Sequence, residues 1–544
     1  MSNILFSIIL ASAVVFGSPV NYPLSLAGNY GEPRPNHFHG GIDVRTGNVE
    51  GKPVFSIADG YVSRITIGLS GFGNAVYVTH PGGYTSVYCH LKGFIPQLDA
   101  IVKKWQYANE SFQADVRLRP TDFPVACGQL IAVSGNTGAS TAPHIHLELH
   151  DTRTGDMLDP LDVLKDYVED GMPPIAHSFM AYPLQGEGVF LGSSQKQTFG
   201  FSSVNLTREF TAWGKVGFGI WANDYMEGSF GRLGVRKTTL SVDGKVVFHS
   251  DVDRIPVKYN RYVNTWGDYT HYNRTGVWFM KSFLTPGNTL PILHTDKNRG
   301  YINFNEERVY HIVYTVSDIF GNSRSYSFNV LGKKQSLPKK SPSKSPYIFR
   351  YNNVNIFRTD DLKLNIAQNM LPDDVELKPV CHSQPGKLSD RYTFMPYSYP
   401  LFNWSSISIK LKRKVKDTSK LYISCNYGYE RFNGGSYKDG WVTGKIRELG
   451  ASYSIAYDDV PPVITPAGAS GAAIRFAISD TGSGIKSFKG YIDGQFVLFE
   501  KLERSNIIQC SFNDVPIKKT GAGHALKLVV TDNCNNVSTY KRNL

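Results

Sequence analysis

Three histidines and an aspartate lie in two short stretches whose residue types suit a metal centre. His39 and Asp43 are four residues apart in His-Gly-Gly-Ile-Asp, and His144 and His146 are two apart in the strand-like run Pro-His-Ile-His-Leu-Glu-Leu. Residues i and i+2 of an extended strand point to the same face, so both imidazoles can face one cavity. A catalytic zinc takes three protein ligands, typically imidazole or carboxylate, and keeps a fourth position for water. His39, Asp43 and one of His144 and His146 supply that set.

A fourth histidine, His90, follows the strand-like Val-Tyr-Cys and extends the possible chemistry from metal binding to catalysis. Bound zinc lowers the pKa of water to about 7, and a neutral histidine within hydrogen-bonding reach can take or return a proton. Zinc and a second imidazole can together stabilise charge on a scissile carbonyl oxygen. The sequence has no carboxylate in a His-Glu-x-x-His arrangement, so the histidines outside the ligand set would do this work.

The surroundings of these residues resemble the M23 (lysostaphin/LytM-like) family of zinc metallopeptidases. The resemblance rests on a glycine turn followed by a strand, a strand that ends in Tyr-x-His-Leu, and a glycine-rich approach to the His-x-His strand. These segments are Gly71–Val78, Tyr84–Leu91, Gly128–Ile131 and Ser134–Gly138. Their order and spacing are specific, and the resemblance covers roughly residues 30–165, under a third of the chain.

The resemblance implies a role for each of the candidate residues. Zn²⁺ would be held by His39, Asp43 and His146, whereas His144 and His90 would stay unliganded, activate water and stabilise the oxyanion. The resemblance also implies an antiparallel β-sheet catalytic domain that acts on the peptides of peptidoglycan. A long segment after His90 is expected to be a partly helical insertion that shapes the substrate groove.

Several neighbouring residues compete for a place at this site. His37 forms an i, i+2 pair with the first ligand and could replace it, but the family pattern places that ligand four residues before the aspartate. Glu148 shares a strand face with His146 and either supports it or is exposed to solvent. His80 and His150 are expected at the surface or at strand ends. A purely structural zinc is the remaining alternative, and it usually requires a fourth protein ligand.

Length and composition predict several mainly β domains. The chain has 544 residues, too many for one core, which suggests three to five domains. Hydrophobic residues make up 41% and charged residues 19%, which is typical of a globular protein. Abundant glycine, tyrosine and phenylalanine favour β structure. The formal net charge of +12, without an aromatic-plus-basic motif of the RNA- or DNA-binding kind, favours anionic envelope polymers or lipid head groups over nucleic acid as partners.

The amino-terminal residues predict export. Ile4 to Phe16 is an apolar run, too short to span a bilayer comfortably, and it is typical of a signal peptide, which we place at residues 1–20. No lysine or arginine precedes Arg34, so the usual charged region is reduced to the amino terminus. We expect no transmembrane segment after signal removal. The protein is therefore expected in the periplasm, on the outer surface or in the medium.

An exported protein can form disulfides, and the sequence contains six cysteines. We predict one bridge within each of two domains, Cys381–Cys425 and Cys510–Cys534. Cys89 and Cys127 lie in the peptidase-like region and are expected to be small buried residues. Cys89 adjoins His90 and is not expected to be a nucleophile, because its side chain should point to the opposite strand face.

The rest of the chain repeats itself. Asp243-Gly244 and Asp493-Gly494 lie between strand-like segments at an offset of 250 residues, and Asp-Gly is a hairpin-turn signal. Two further pairs of segments occur in the same order in both regions: Pro173-Pro174 matches Pro461-Pro462, and residues 316–322 match residues 530–536. These matches predict two copies of one β module that resembles an immunoglobulin-like sandwich.

The expected domain order follows from these patterns. It runs from a signal peptide (1–20) through an M23-like zinc peptidase domain (21–170), an Ig-like β domain with an insertion (173–332), a basic Pro/Ser/Lys linker (333–346) and a β-rich domain (347–460) to a second Ig-like domain (461–544). Asp224 and Asp480 lie in turn-rich stretches of the two modules. Either could bind calcium, but an Asx-turn is the favoured interpretation.

Together these features predict an exported zinc-dependent endopeptidase that hydrolyses peptidoglycan cross-bridges or stem peptides. One alternative is a catalytically silent regulator that binds cell wall, but such a relative is expected to lack ligands, whereas the His/Asp set here is complete. A second alternative is a surface adhesin or scaffold whose β modules are its main function.

Overall fold

The computed structural model describes residues 14–227, 229, 231–340, 342, 345–470, 472–513 and 523–544. The chain divides into two compact units. The first contains residues up to Ala27, 41–105 and 113–169, and the second contains 28–40, 106–112 and 170–544. About 49% of the residues are in strands and 9% in helices, so the predicted mainly β fold is confirmed.

The peptidase-like region consists mainly of short strands. They are β1 (Leu26–Gly28), β2 (Pro33–Arg34), β3 (His37–Phe38), β4 (Gly41–Arg45), β5 (Pro53–Phe55), β6 (Gly60–Ile67), β7 (Asn74–His80), β8 (Tyr84–Cys89), β9 (Leu91–Phe94), β10 (Ala114–Arg117), β11 (Pro124–Val125), β12 (Leu130–Ser134), β13 (His144–Asp151) and β14 (Met157–Leu158), with helices α1 (Pro96–Asn109) and α2 (Leu161–Leu164). The main sheet has the order β1-β4-β13-β8-β7-β6-β10, and β5-β12-β9 form a second sheet. β13 lies between β4 and β8, and its residues from Ile145 to Leu149 are all buried.

The segment after His90 is partly helical, as predicted. Helix α1 begins at Pro96, a residue favoured in the first turn because its missing N–H would have no partner there. Leu98 and Val102 lie one turn apart on the same face and are both buried. Residues 106–112, at the end of the helix and beyond it, belong to the second compact unit.

The predicted signal peptide lies only partly within the described residues, because residues 1–13 fall outside them. From Phe16 onward the chain packs into the first unit. The Gly17 N–H donates to the Ile57 carbonyl at 2.6 Å, and the Phe55 N–H donates to the Pro19 carbonyl at 2.9 Å. Within the described part of the chain, no helix combines the length and apolarity needed to cross a bilayer.

Ten of the eleven strands of the first β module form one continuous sheet, and β20 lies outside it. Its strands are β15 (Ile175–Phe190), β16 (Gln197–Gly200), β17 (Asn205–Asn223), β18 (Lys237–Val242), β19 (Lys245–Asp251), β20 (Arg254–Ile255), β21 (Met280–Lys281), β22 (Leu293–Thr295), β23 (Ile302–Phe304), β24 (Val309–Ser317) and β25 (Ser323–Gly332), with helices α3 (Val263–Trp266) and α4 (Tyr269–Thr275). The order is β16-β15-β17-β25-β24-β18-β19-β22. Along β24, Tyr310, Ile312, Tyr314 and Val316 are buried, which is the period-two pattern of a strand with one face in the core.

The domain that follows has two five-stranded sheets and a separate pair of strands, β26 and β29. Its strands are β26 (Ile348–Phe349), β27 (Asn355–Arg358), β28 (Leu362–Ile366), β29 (Val375–Glu376), β30 (Val380–His382), β31 (Arg391–Thr393), β32 (Pro400–Lys410), β33 (Leu421–Asn426), β34 (Glu430–Phe432), β35 (Ser436–Lys438), β36 (Trp441–Glu448) and β37 (Ser452–Tyr457). The two sheets have the orders β27-β28-β32-β36-β35 and β30-β31-β37-β33-β34. They share one core, which includes Leu364 and Ile407 from the first sheet and Ile423 and Tyr453 from the second.

The last module repeats the strand arrangement of the first. Its strands are β38 (Val463–Ser470), β39 (Ala473–Ser479), β40 (Ile485–Ile492), β41 (Gln495–Val497), β42 (Glu500–Lys501), β43 (Ile507–Ser511), β44 (Ala525–Asp532) and β45 (Val537–Asn543). The order β41-β40-β44-β45 corresponds to β19-β18-β24-β25 of the first module. In both hairpins the Asp-Gly pair has positive φ, 51° and 78° at Asp243 and Gly244 and 50° and 81° at Asp493 and Gly494. The predicted hairpin turns are confirmed, because such a two-residue turn needs positive φ at both positions.

The two predicted disulfides are wrong. The described residues include all six cysteines, and no disulfide joins any of them. Cys381 lies on β30 and Cys425 on β33, with β31 and β37 between them. Three strand spacings amount to roughly 14 Å, twice the largest Cα separation, about 7 Å, that a disulfide can bridge. Cys510 lies on β43 of one sheet, whereas Cys534 follows β44 of the other and directs its Sγ to the Lys420 carbonyl.

Candidate metal centre

Strand pairing brings Asp43 and His146 together. β4 and β13 are antiparallel neighbours, and Asp43 is directly opposite His146. The Nδ1 atom of His146 lies 2.8 Å from Oδ1 of Asp43. His39, which precedes β4, completes the group, since one ligand atom from each of the three residues lies within 4.8 Å of the others. All three side chains are buried. The structure thus places the three predicted ligands at one point.

Hydrogen-bond acceptors determine which nitrogen of each histidine is available to a metal. His39 Nδ1 lies 2.7 Å from the carbonyl oxygen of Asn29. A carbonyl only accepts, so Nδ1 carries the proton and Nε2 keeps its lone pair. His146 Nε2 lies 2.9 Å from Oε1 of Glu148, and an N–H donated there leaves Nδ1 for a metal beside Asp43. Metal-binding histidines usually donate their second N–H in this way. Two imidazoles and a carboxylate in this state suit zinc.

The carboxylates around His146 favour positive charge at the site. Burial disfavours the charged imidazole, but hydrogen bonds to Asp43 and Glu148 outweigh it and raise the pKa of His146 to about 9. Burial also opposes the charge on Glu148, but hydrogen bonds from His146 and His150 hold the pKa of this carboxyl well below its usual range. A metal ion at Nδ1 of His146 would therefore take the place of a proton.

His90 and His144 lie beside the group of three. The ring centroids of His90 and His144 are 4.9 Å apart, and those of His90 and His146 are 5.8 Å apart. Nε2 of His144 is 3.3 Å from Oδ1 of Asp43. Burial and the two neighbouring imidazoles lower the pKa of His90 to about 4, so its ring is neutral at neutral pH. His90 also has a φ of 59°, a conformation that is uncommon outside glycine and frequent at functional sites.

Backbone carbonyls orient these two imidazoles as well. Nδ1 of His90 lies 2.8 Å from the Thr137 carbonyl, and Nδ1 of His144 lies 2.8 Å from the Ala142 carbonyl. Each Nδ1 therefore donates, so Nε2 is the nitrogen that accepts a proton when the ring is in its neutral form. Both residues are thus prepared to act as bases.

The glycine-rich segments near the site hold the loop that orients His90. The Thr137 hydroxyl donates to the Leu91 carbonyl at 3.0 Å and accepts from the Asn74 N–H at 2.9 Å. A Cβ atom on Gly73 would lie 2.4 Å from Oγ1 of Thr137, and one on Gly138 would lie 2.4 Å from the Gly73 nitrogen. Only glycine allows this close approach, which explains why both segments have glycine at the point where they meet.

Glu148 supports the centre instead of facing solvent. It is 5% exposed, so the alternative of solvent exposure is wrong. Its second oxygen accepts from Nε2 of His150 at 2.6 Å. His150 therefore acts on His146 through Glu148, a role that strand alternation alone did not reveal.

The other candidate residues lie outside the group of three. His37 is exposed, with Nδ1 3.1 Å from the Pro35 carbonyl. His80 ends β7 but is buried rather than at the surface, and its two nitrogens meet the Asp59 carbonyl and the Ser86 hydroxyl. Cys89 is fully buried, which raises the pKa of its thiol well above the usual value and agrees with its expected inertness.

Comparisons with known families match two parts of the chain. Residues 37–111 match peptidase family M23, and residues 346–458 match the Zu5-like domain. An uncharacterized metalloprotease of Haemophilus influenzae is 32% identical over 134 residues, which cover 25% of this chain and 22% of that protein. The DD-carboxypeptidase/endopeptidase Mpg of Neisseria meningitidis is 32% identical over 110 residues, covering 20% and 19%. The chain thus spans about a fifth of the length of these curated relatives.

Two solved structures are similar to the same region. A peptidase M23 structure from Pseudomonas aeruginosa is 27% identical, with a TM-score of 0.18 and coverage of 26% of this chain and 46% of that one. The catalytic domain of the antimicrobial peptidase lysostaphin from Staphylococcus simulans is 25% identical, with a TM-score of 0.20 and coverage of 27% and 93%.

Proposed function

We propose that this chain, which contains a peptidase family M23 domain, is an exported zinc-dependent endopeptidase that hydrolyses peptide bonds in the cross-bridges or stem peptides of peptidoglycan. The proposal is carried by the buried group of His39, Asp43 and His146 with two further imidazoles beside it. Three ligands leave one coordination position for water or substrate, whereas a structural site usually closes with a fourth. The complete set also argues against a catalytically silent relative.

The protein's own residues divide the work of hydrolysis. When bound, zinc supplies Lewis acidity that polarises the scissile carbonyl and lowers the pKa of water to about 7. One of His90 and His144 accepts the proton of the attacking water at Nε2 and returns it to the leaving amine. The other takes a proton from solvent at Nε2, donates a hydrogen bond through it to the oxygen of the scissile carbonyl as charge develops there, and keeps that proton when the carbonyl re-forms. Their fixed Nδ1 hydrogen bonds keep both rings oriented for these roles.

Peptidoglycan is the proposed substrate on chemical and comparative grounds. The relative from Neisseria meningitidis is named a DD-carboxypeptidase/endopeptidase. The net charge of +12 would favour contact with anionic envelope polymers around the peptides.

Export is proposed from the apolar amino terminus. Phe16 packs against Tyr84 with ring centroids 5.7 Å apart, and Val20 is buried, so removal of residues 14–20 would take packed residues from the folded unit. The small residues Ala11 and Ala13 form an Ala-x-Ala cleavage signal upstream of these contacts. The mature chain would then begin at Val14. This boundary differs from the end of the signal peptide at residue 20 that the sequence alone suggests. Amino-terminal sequencing of exported protein tests it, and a first residue other than Val14 would contradict it.

Digestion of purified sacculi, with the products identified by mass spectrometry, tests the activity. The full chain should release fragments cleaved at an internal peptide bond and should carry about one zinc per chain. Asp43→Ala should lose both metal and activity. Release of single terminal amino acids would indicate carboxypeptidase action instead.

His37→Ala provides the matched control, because His37 is exposed and lies two residues before a proposed ligand. It should retain zinc and turnover. Full zinc occupancy in Asp43→Ala would remove this residue from the ligand set, and intact sacculi after treatment with zinc-loaded wild type would contradict the proposed substrate.

A further inference from the structure

Two triads of aspartates occupy equivalent places in the two β modules. In the first module the triad is Asp170, Asp224 and Asp318, and in the last it is Asp458, Asp480 and Asp532. Within each triad, one carboxylate oxygen per residue lies within 4.8 Å of the others. The first member of each triad stands three residues before a Pro-Pro pair, and the third stands four residues before an asparagine.

The hydrogen bonds around the triads are equivalent as well. In the first module the Asn322 side-chain amide donates to the Asp170 carbonyl at 3.1 Å and to Oδ2 of Asp318 at 2.7 Å. In the last module the Asn536 amide makes the same two contacts, each at 2.7 Å. The module therefore builds this geometry twice, which a chance grouping of acidic residues would not do.

The two triads differ in one respect that bears on ligand binding. Oδ2 of Asp480 accepts the N–H groups of Gly482 and Gly484, which confirms the expected Asx-turn. In contrast, Oδ1 of Asp224 is buried and has no hydrogen-bond partner, although the residue is only 4% exposed. A buried carboxylate oxygen without a donor is costly unless a cation compensates it. Asp224 is therefore the residue with a buried oxygen for which a turn hydrogen bond does not account.

Asp170 adds a second oxygen of the same kind. Its Oδ2 is buried and accepts no hydrogen bond from an N–H or hydroxyl donor, and the side chain beside it is Glu227, another carboxylate. Burial and the neighbouring aspartates raise the pKa of Asp224 to about 8, and burial, Asp318 and Glu227 raise that of Asp170 to about 7. The protein surroundings therefore disfavour the full negative charge of this cluster.

We propose that Asp170, Asp224 and Asp318 bind a calcium ion in the first β module. The donors are all carboxylate oxygens, with neither imidazole nor thiolate in the triad, and hard oxygen donors select calcium or magnesium over zinc. Several carboxylates from separate segments suit calcium, because magnesium demands near-ideal octahedral geometry and usually keeps several waters.

Calcium at this point would hold the entry of the chain into the module. Asp170 precedes β15, Asp224 follows β17, and Asp318 follows β24. One ion would thus join the segment before the first strand to two loops at the same end of the module. Calcium binding and resistance of this entry to unfolding are therefore coupled.

Isothermal titration of the full, zinc-loaded chain with calcium chloride tests the site directly. Wild type should bind calcium, and Asp224→Asn should bind one equivalent fewer. Asp253→Asn is the matched control, because Asp253 is an exposed aspartate of the same module outside the triad. It should bind as wild type does. Absence of calcium uptake by wild type, or an unchanged stoichiometry in Asp224→Asn, would overturn the proposal.

Thermal unfolding separates loss of the site from loss of the fold. Calcium should raise the unfolding temperature of wild type and of Asp253→Asn but leave that of Asp224→Asn unchanged. In metal-free buffer Asp224→Asn should unfold at no lower temperature than wild type, because the substitution replaces a carboxyl whose charged form burial and the neighbouring aspartates disfavour. An equal calcium-dependent rise in Asp224→Asn would contradict the assignment. Zinc content and peptidase turnover should be the same in all three proteins, which separates this site from the proposed catalytic centre.

Discussion

At the scale of single residues, the orientation of each imidazole depends on an acceptor that lies elsewhere in the chain. His39, His90 and His144 each direct Nδ1 to a backbone carbonyl, whereas His146 directs Nε2 to a carboxylate. The first three therefore use Nε2 for chemistry, and His146 uses Nδ1. The residue types of the site are legible in the sequence. The backbone acceptors cannot be predicted from the sequence, because any residue can supply a carbonyl.

The first prediction concerns the two histidines that bind no metal in this arrangement. His144→Ala and His90→Ala should keep zinc and lose turnover by about 10²–10⁴-fold, the usual contribution of a positioned acid or base. Zinc content by mass spectrometry and hydrolysis of soluble muropeptides measure the two effects, with His37→Ala as control. Loss of zinc in His144→Ala together with its retention in His146→Ala would reverse the assignment of these two residues.

The second prediction concerns Glu148. Glu148→Gln removes the charge that orients His146, so zinc affinity should fall by about 10–100-fold, as is typical when an outer partner of a metal ligand is lost. Competition with a chelator of known affinity measures the change. Glu169→Gln, at an exposed glutamate of the same unit, should leave the affinity as in wild type. An unchanged affinity in Glu148→Gln would show that His146 is oriented without this carboxylate.

At the scale of strands and loops, local chemistry was predictable and long-range pairing was not. The Asp-Gly hairpins depend on two adjacent residues that tolerate positive φ, so the sequence was sufficient to place them. The disulfides depend on strand order, and the insertion of β31 and β37 between Cys381 and Cys425 leaves no local signal. The partners of residues 28–40, the segment that carries His39, are also distant in sequence and therefore leave no local signal.

The first β module holds that segment through two asparagines. Oδ1 of Asn264 accepts the Asn36 N–H at 3.0 Å, and its amide donates back to Oδ1 of Asn36 at 3.2 Å. Oδ1 of Asn260 accepts the Phe38 N–H at 2.6 Å. These bonds fix the chain immediately before His39, and Asn36 itself has a φ of 73°.

The third prediction follows from these contacts. The double variant Asn260→Ala/Asn264→Ala should release zinc at least about 10-fold faster than wild type, since each lost hydrogen bond costs about 1 kcal/mol and 1.4 kcal/mol corresponds to a factor of ten. Stopped-flow chelation measures the rate. Asn303→Ala, at an exposed asparagine of β23, is the control. Identical release rates would mean that the segment holds its position without the module.

At the scale of the whole molecule, the end of the helical insertion and the last module belong to the same compact unit and pack against each other. Tyr107 packs against Phe496 with ring centroids 5.5 Å apart, and Phe112 stacks on Phe488 at 5.4 Å. The end of the helical insertion is therefore covered by the last module. Downstream domains that only target the enzyme to the wall would not need such contacts.

The last prediction tests how much of the activity depends on the domains after the linker, residues 347–544. Lys333, Lys334, Lys339 and Lys340 are exposed in the linker, so limited trypsin digestion should cut there first and leave a fragment that contains the zinc ligands and the first β module. Because Asn260 and Asn264 remain in that fragment, it should keep zinc and hydrolyse soluble muropeptides. It should be less stable than the full chain, because Tyr107 and Phe112 lose their apolar partners, and less active on intact sacculi if the later domains bind the wall.

Equal loss on both substrates with zinc retained would mean that the last module shapes the catalytic groove through the insertion. Unchanged activity on both substrates would show that the domains after the linker neither target the enzyme nor support its groove.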